Sequence, residues 1–314
     1  MRAEAIVVGA GIVGALAAYE LRKRGLSLLL LDAGKEGAAT PASAGMLAPY
    51  PEGLTGEVLE AALFGLRYYP GLLQELRGLG LEVEAGFAGT QVVALSQGEA
   101  EAWHAQEALP YPVRGGRGAR TFPGGYVHPG ALRQALLRAL EAMETPLLHA
   151  EVEEVREGEV RGRWRGAPPG EPFAARARHL LLAVGAWGGR FGLGVRPLKG
   201  EALLLEGTPP PMPLFAGDGY LLPREGGVYV GPRGGRAGPR GWTSMGSGGL
   251  RTTPTSAFPG WREPGSGGSF GAIGRWGSFS WGRCRRASMR RWGTGGTGSS
   301  WPLGRRQGFW NSWG

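Results

Sequence analysis

Apolar positions cluster toward the start of this 314-residue chain and thin out toward its end. Residues 4–9 form a short apolar run that closes on Gly9. Helical spacing follows to about Arg24, and a second apolar run, Leu28 to Leu31, closes on Asp32. That order predicts strand, glycine turn, helix, strand and acid. Residues 57–79 then place Leu59, Leu63, Leu66, Leu72, Leu73 and Leu76 at helical spacing, and residues 89–96 read as a strand. The stretch "GGYVHPGALRQALLRALEAM" predicts a turn at Pro129 and a helix from about Gly130. Residues 147–155 predict a strand, and 179–192 predict a buried strand, a Gly-rich turn and a helix start. "GYLLPREGGVYVGP" at 219–232 predicts a hairpin across Glu225, Gly226 and Gly227. From 233 to 314 the periodicity stops: apart from Leu250, Ile273 and Leu303 the segment has no Leu, Ile or Val.

Charge divides the chain at the same place. The net charge is +9, but residues 233–314 hold 13 Arg against the single acid Glu263, so the body before them is mildly acidic. A nucleic-acid reading would rest wholly on that tail, with Arg283, Arg285, Arg286, Arg290 and Arg291 as contacts and the tail's aromatics as stacking partners. We expect no nucleic-acid partner. The single Cys284 excludes a disulfide framework and suits a reducing compartment. The N-terminus reads straight into a strand without an export signal, and no apolar run would span a bilayer, so a cytoplasmic protein is expected. No metal-ligand spacing is present, and a homo-oligomer is left open.

The glycine turn carries the first chemistry. In Gly9-Ala10-Gly11-Ile12-Val13-Gly14, Gly9 permits a tight turn, Gly11 lets a pyrophosphate approach the backbone, and Gly14 lets the helix pack close to the strand. The helix start at Ile12 and Val13 offers free N–H groups to phosphates. Asp32 stands where a ribose hydroxyl needs an acceptor. This pattern is that of a dinucleotide site and does not separate NAD from FAD.

The next segment does. "ATPASAGMLAP" at 39–49 resembles the Ser-x-Ala-Gly-Met-Leu-Ala-Pro stretch of the FAD-dependent glycine oxidases of thiamine biosynthesis, in the D-amino-acid oxidase and sarcosine oxidase superfamily. The resemblance implies FAD, with Ser43, Ala44, Gly45 and Met46 wrapping it. It implies that the backbone of Val152 holds the adenine and that Ala183, Gly185 and Trp187 form a second flavin-facing turn. "RPLKGE" at 196–201 resembles the strand entering the family's substrate sheet, and 219–232 resembles its Tyr-x-x-Pro-Arg hairpin. Tyr220 matches the position whose phenol meets the substrate carboxylate. His128 is a tempting general base, but a His before Pro at an element boundary is more often structural, and the implied amine oxidation needs none.

The resemblance stops near residue 231. The family's later Trp-x-Gly-x-Arg-Pro and Gly-His-x-Arg-x-Gly-Ile-Leu-Leu-Ala-Pro elements are missing. Back-translating Trp292–Pro302 with TCN serines and reading two nucleotides late allows Gly-His-Trp-Arg-His-Gly-Ile-Leu-Leu-Ala. The same shift over Phe270–Gly277 allows an Arg-Pro pair. Both missing elements thus return in one frame and in order. GC-rich codons read out of frame also account for the tail's Gly, Arg and eight Trp.

The expectation is an α/β fold: a Rossmann-type FAD-binding domain, discontinuous over 1–80 and 130–194, and an inserted antiparallel substrate domain over 81–129 and 195–232. A tail over 233–314 is expected to be irregular or disordered, too poor in apolar residues to offset ordering. The implied activity is oxidative deamination of glycine or a similar small amino acid by oxygen, giving an oxo acid, ammonia and hydrogen peroxide. The alternative is an inactive, truncated flavoprotein remnant. A third reading, an NAD-dependent dehydrogenase, is disfavoured by the 43–49 loop. Sequencing the source gene across codons 225–314 tests the frame: the expected read differs by a two-nucleotide shift between about residues 231 and 242, and a read identical to the present one would mean a decayed gene.

Overall fold

The computed structural model describes residues 1–109, 113, 115–166, 168–200, 202–232, 272–274 and 279–284. Strand β1 (Arg2–Val8), helix α1 (Ile12–Lys23) and strand β2 (Leu28–Asp32) open the chain. A short helix α2 (Ala39–Ala42) and β3 (Met46–Leu47) lead into the long helix α3 (Gly56–Gly78). Then come β4 (Ala85–Gly86), β5 (Thr90–Ala94), α4 (Gln97–Trp103), β6 (Gly118–Phe122) and β7 (Gly125–Val127). Helix α5 (Pro129–Ala142) returns the chain to the first unit, which continues with β8 (Leu147–Arg156), β9 (Glu159–Trp164) and β10 (Pro172–Leu182). After a 3₁₀ turn at Gly185–Phe191 follow β11 (Val195–Gly200), β12 (Leu203–Glu206), β13 (Leu214–Ala216), β14 (Gly219–Arg224) and β15 (Gly227–Pro232). The described part of the tail adds β16 (Ala272–Gly274) and β17 (Phe279–Cys284).

The first sheet explains why the early strands are apolar throughout. β1 pairs in parallel with β2 and β10, and β2 pairs in parallel with β8. The antiparallel β8–β9–β10 meander closes this sheet on itself. Side chains alternate in a strand, and both faces here are covered. Ala5, Val7, Leu28 and Leu30 face α1 and α5, against Ala15, Ala18, Leu132, Leu136 and Leu140. Ile6, Val8, Leu29 and Leu31 face the meander, against Val152, Val160, Phe173 and Ala175. On α5, Leu132, Ala135, Leu136, Ala139 and Leu140 make one buried stripe at helical spacing.

A second sheet runs in the order β16-β12-β15-β14-β13-β5-β6. It is antiparallel, as expected, with one parallel pair, β13 with β5, because these two strands are joined through the first sheet rather than by a hairpin. Within the hairpin β14–β15, Arg224 pairs with Gly227. The turn is therefore Glu225–Gly226, with Gly226 at φ +74°, and Gly227 belongs to the strand. A small sheet β3-β7-β4 joins the two halves.

The tail expectation is corrected at nine residues: β16 pairs with β12 and β17 with β11. Edge strands leave backbone N–H and C=O groups open, and pairing with them requires an extended backbone rather than an apolar pattern. The remaining tail positions lie outside the described residues. Because Leu136 is 0 % exposed at the centre of the stripe, Leu136→Ala should destabilise the chain by about 2–5 kcal/mol, read as a lower urea midpoint at unchanged slope.

Candidate cofactor and substrate site

The C-terminal ends of β1, β2 and β10 converge, and the glycine turn sits at their meeting point. Gly9 has φ +98°, and a Cβ there would lie 2.4 Å from the Ala183 carbonyl oxygen at the end of β10. A Cβ on Gly14 would lie 1.8 Å from the Gly9 carbonyl oxygen. Both glycines are thus required by backbone contact, as their spacing implied. Gly11 differs. Its nearest neighbour in the Cβ direction is the Thr40 hydroxyl at 3.2 Å, so the backbone here lies open beside the start of α1. The Ile12 N–H donates to Thr40 Oγ1 at 3.0 Å, and Val13 is exposed. Asp32 closes β2, and its carboxylate accepts from the N–H groups of Ala10 (2.6 Å) and Gly34 (2.7 Å). Each oxygen keeps a further lone-pair direction for a hydroxyl donor.

Val152 is buried on β8, beside Gly162 of β9. Next to it, Glu151 receives Lys35 (2.7 Å), Arg190 (2.9 Å) and Arg165. These bonds hold its carboxyl at about 2, far below the usual range. One carboxylate thereby ties the loop after β2, the strand β8 and the turn after β10, the same three segments that carry Asp32, Val152 and Ala183–Trp187. Gly185 of that turn has φ +55°, and Trp187 is half-buried.

The Ser43–Met46 loop lies against β7 and the start of α5. The Ser43 hydroxyl donates to the Thr40 carbonyl at 3.2 Å, and Ala44 is buried. Gly45 has φ +72°, and a Cβ there would lie 1.9 Å from the Val127 carbonyl oxygen. Met46 pairs with Tyr126. Over this loop lies one face of the second sheet. Tyr220 stacks on Tyr229 (6.2 Å between centroids, 5° between planes) and leans on Phe215 (5.8 Å). Gly231, opposite Tyr220 across the hairpin, makes room for its phenol: a Cβ there would lie 2.4 Å from the hydroxyl. Burial raises the Tyr220 phenol pKa, and Tyr229 and Glu52 add to that, so it stays protonated and able to donate.

The structure therefore gathers Gly9, Gly11, Ile12, Val13, Gly14, Asp32, Ala183 and Gly185 around the strand ends, and sets Tyr220 on the sheet above Ser43–Met46. It adds Thr40, Tyr229 and Gly231, which the sequence reading passed over, and a place for Arg224. Arg224 is the Arg of the Tyr-x-x-Pro-Arg hairpin, to which the sequence reading gave no role. His128 is not placed as a base. Its Nδ1 accepts from the Ala131 N–H at 3.2 Å and caps α5. Burial, then the nearby Arg224, lower its pKa.

The residues present fit a flavin dinucleotide: open backbone at Gly11, amides at the start of α1, and an acid at the end of β2. A model of FAD dependent oxidoreductases (DAO) matches residues 4–257. The chain belongs to this family. FAD is the cofactor of this oxidoreductase. The match runs past residue 231, where the recognisable motifs end. The chain is 28% identical over 260 residues to glycine oxidase of Bacillus subtilis, an alignment covering 72% of this chain and 68% of that protein. It is 30% identical over 260 residues to glycine oxidase of Pseudomonas aeruginosa, covering 74% and 71%. Among solved structures, glycine oxidase from Geobacillus kaustophilus superposes with a TM-score of 0.64 at 26% identity, covering 74% of this oxidoreductase and 71% of that chain. Iminodiacetate oxidase from Chelativorans sp. BNC1 shares the fold, with a TM-score of 0.68 at 23% identity over 91% and 85%. Among the described residues no cluster of metal-ligating side chains occurs, and no helix is long and apolar enough to cross a membrane.

The His128 cap sets a pH dependence. The folded chain holds the imidazole neutral, so stability should be full above the ordinary value of 6.5 and decline as pH falls below it. In His128→Asn, which keeps a capping side chain, that slope should vanish at little cost, whereas His128→Ala should lose about 1 kcal/mol at pH 8, both read from thermal melts.

Proposed function

We propose that this oxidoreductase is an amino-acid oxidase for glycine or a similarly small amino acid, of the kind that serves thiamine biosynthesis. The observation that carries the reading is the protonated phenol of Tyr220, held on an aromatic face directly over the loop shared with glycine oxidases. In this reading residues 1–80 and 130–194 hold FAD, and 81–129 with 195–232 form the substrate side.

The roles follow from the geometry. The open backbone at Gly11 and the Val13 amide hold the pyrophosphate, while Thr40 accepts from the Ile12 N–H and so orders the start of α1. Asp32 accepts from the ribose, and Val152 meets the adenine through its backbone. Ser43–Met46 and Ala183–Trp187 enclose the ring. FAD supplies the two-electron acceptor that the amine oxidation needs. Tyr220 donates to the substrate carboxylate and so fixes the α-carbon. The crowded ring pair of Tyr220 and Tyr229 with Phe215 favours a substrate with little or no side chain. The imine product takes up water and leaves as oxo acid and ammonia, while oxygen leaves as hydrogen peroxide. His128 takes no proton, because its acceptor nitrogen is occupied by the α5 cap.

The missing elements favour a second reading of the chain as written: an inactive remnant altered by a shifted frame. One assay separates the two. With FAD added, the chain restored by a two-nucleotide shift between residues 231 and 242 should release peroxide with glycine, sarcosine or a small D-amino acid, and the chain as written should be at least about a hundredfold slower, the size of loss that removing one transition-state contact produces. Equal turnover by both chains would remove the remnant reading. Absence of turnover with all three substrates by the restored chain would overturn the oxidase.

A further inference from the structure

The second sheet meets the cofactor-facing loop through two buried side chains on adjacent strands. On β15, the Tyr229 hydroxyl donates to the Ala42 carbonyl at 2.8 Å. On β14, Arg224 Nη2 donates to the Ala44 carbonyl, and Nη1 reaches the Pro223 carbonyl at 3.3 Å. The two carbonyls stand two residues apart and flank Ser43. On the far side, the Val127 N–H donates to the Gly45 carbonyl at 3.0 Å, and β3 pairs with β7. The loop is thus held from both faces.

Arg224 is an unusual choice for a pillar. It is only 7% exposed, and among the described residues its hydrogen bonds go to carbonyls, with aromatic rings beside it and the charge of Glu84 near enough to act on it. Its guanidinium lies between Tyr126 (5.8 Å) and Tyr229 (5.7 Å). Gly86 makes room for Tyr126, since a Cβ there would lie 2.7 Å from the ring. Burial lowers the Arg224 pKa, which the charge of Glu84 partly offsets; the same burial lifts the Tyr229 phenol to about 12. Desolvating a cation is costly, and Leu222, two residues away on the same face, shows that an apolar residue fits this interface. What an apolar residue lacks is a rigid planar donor fork aimed at a carbonyl.

We infer that Arg224 and Tyr229 are positioning residues that clamp Ala42–Met46 in the shape that receives FAD, so that the substrate sheet and the cofactor loop move as one unit. The inference rests on the FAD site proposed above. Fixing the two carbonyls also fixes the intervening amides of Ser43 and Ala44, and so lowers the ordering cost of cofactor binding.

The test compares the full chain with Arg224→Met, Arg224→Lys and Tyr229→Phe by hydrogen exchange without FAD and by FAD titration followed in flavin fluorescence. In Arg224→Met, exchange at residues 42–47 should speed up at least tenfold while α1 and β1 stay protected, and the FAD dissociation constant should rise at least tenfold. Arg224→Lys should recover part of both, and Tyr229→Phe should show a smaller change of the same sign. Unchanged loop exchange in Arg224→Met, or faster exchange throughout the chain with an unchanged dissociation constant, overturns the clamp. Failure of the unsubstituted chain to bind any FAD counts against the site itself, and the exchange result then decides the clamp alone.

Discussion

The structure depends on three backbones that touch at one point. Gly9 ends β1 in a left-handed conformation, its carbonyl lies under Gly14 of α1, and the carbonyl of Ala183 at the end of β10 lies against its α-carbon. Any side chain at Gly9 or Gly14 would force them apart. Contact at this level sets the height of α1 over the sheet, and with it the direction of the Val13 amide and of the Ile12 amide that donates to Thr40. It also brings the turn after β10 beside the turn after β1. The two turns are therefore one packed unit. Hydrophobic burial on either side, by α1 and α5 above and by the β8–β10 meander below, stabilises the sheet; the glycines determine where its open end points.

Charge is used sparingly around that end. Glu151 gathers three cations and joins the three loops of the nucleotide side. In the second sheet Arg224 is held by carbonyls and aromatic faces. The contrast is physical. A partly exposed carboxylate with several hydrogen bonds stabilises by direct attraction, with some screening by water. A buried guanidinium cannot be worth its desolvation through stability alone, so its geometry carries the interest. Tyr220 combines both themes, since it is an apolar ring in a stack and a phenol that burial keeps as a donor.

Much of this was legible along the chain. The βαβ unit, the helix at 56–78, the helix after Pro129 and the β14–β15 hairpin follow from period and punctuation, because a covered strand and an amphipathic helix leave patterns that need no partner to be read. Gly9 and Gly14 were legible for the same reason: their role is steric and local. The 43–49 loop was legible by resemblance. His128 was ambiguous, since a residue before Pro can cap a helix or serve chemistry, and only the bond from Ala131 distinguishes them. The strands at 272–274 and 279–284 were illegible, because their pairing answers open edges elsewhere rather than any apolar pattern of their own.

By itself, then, the sequence determined the glycine turn, the order of the elements and the resemblance to the family, since each is written in contacts between residues close in the chain or in a recognisable loop. Only the tertiary structure decided the parallel pair within the second sheet, the hub at Glu151, the room that Gly231 leaves for Tyr220, and the grip of Arg224 and Tyr229 on the loop at 42–46. Arg224 and the Ala44 carbonyl are 180 residues apart. No local period links such positions; their contact exists because two sheets, each assembled for its own burial, meet face to face across that loop.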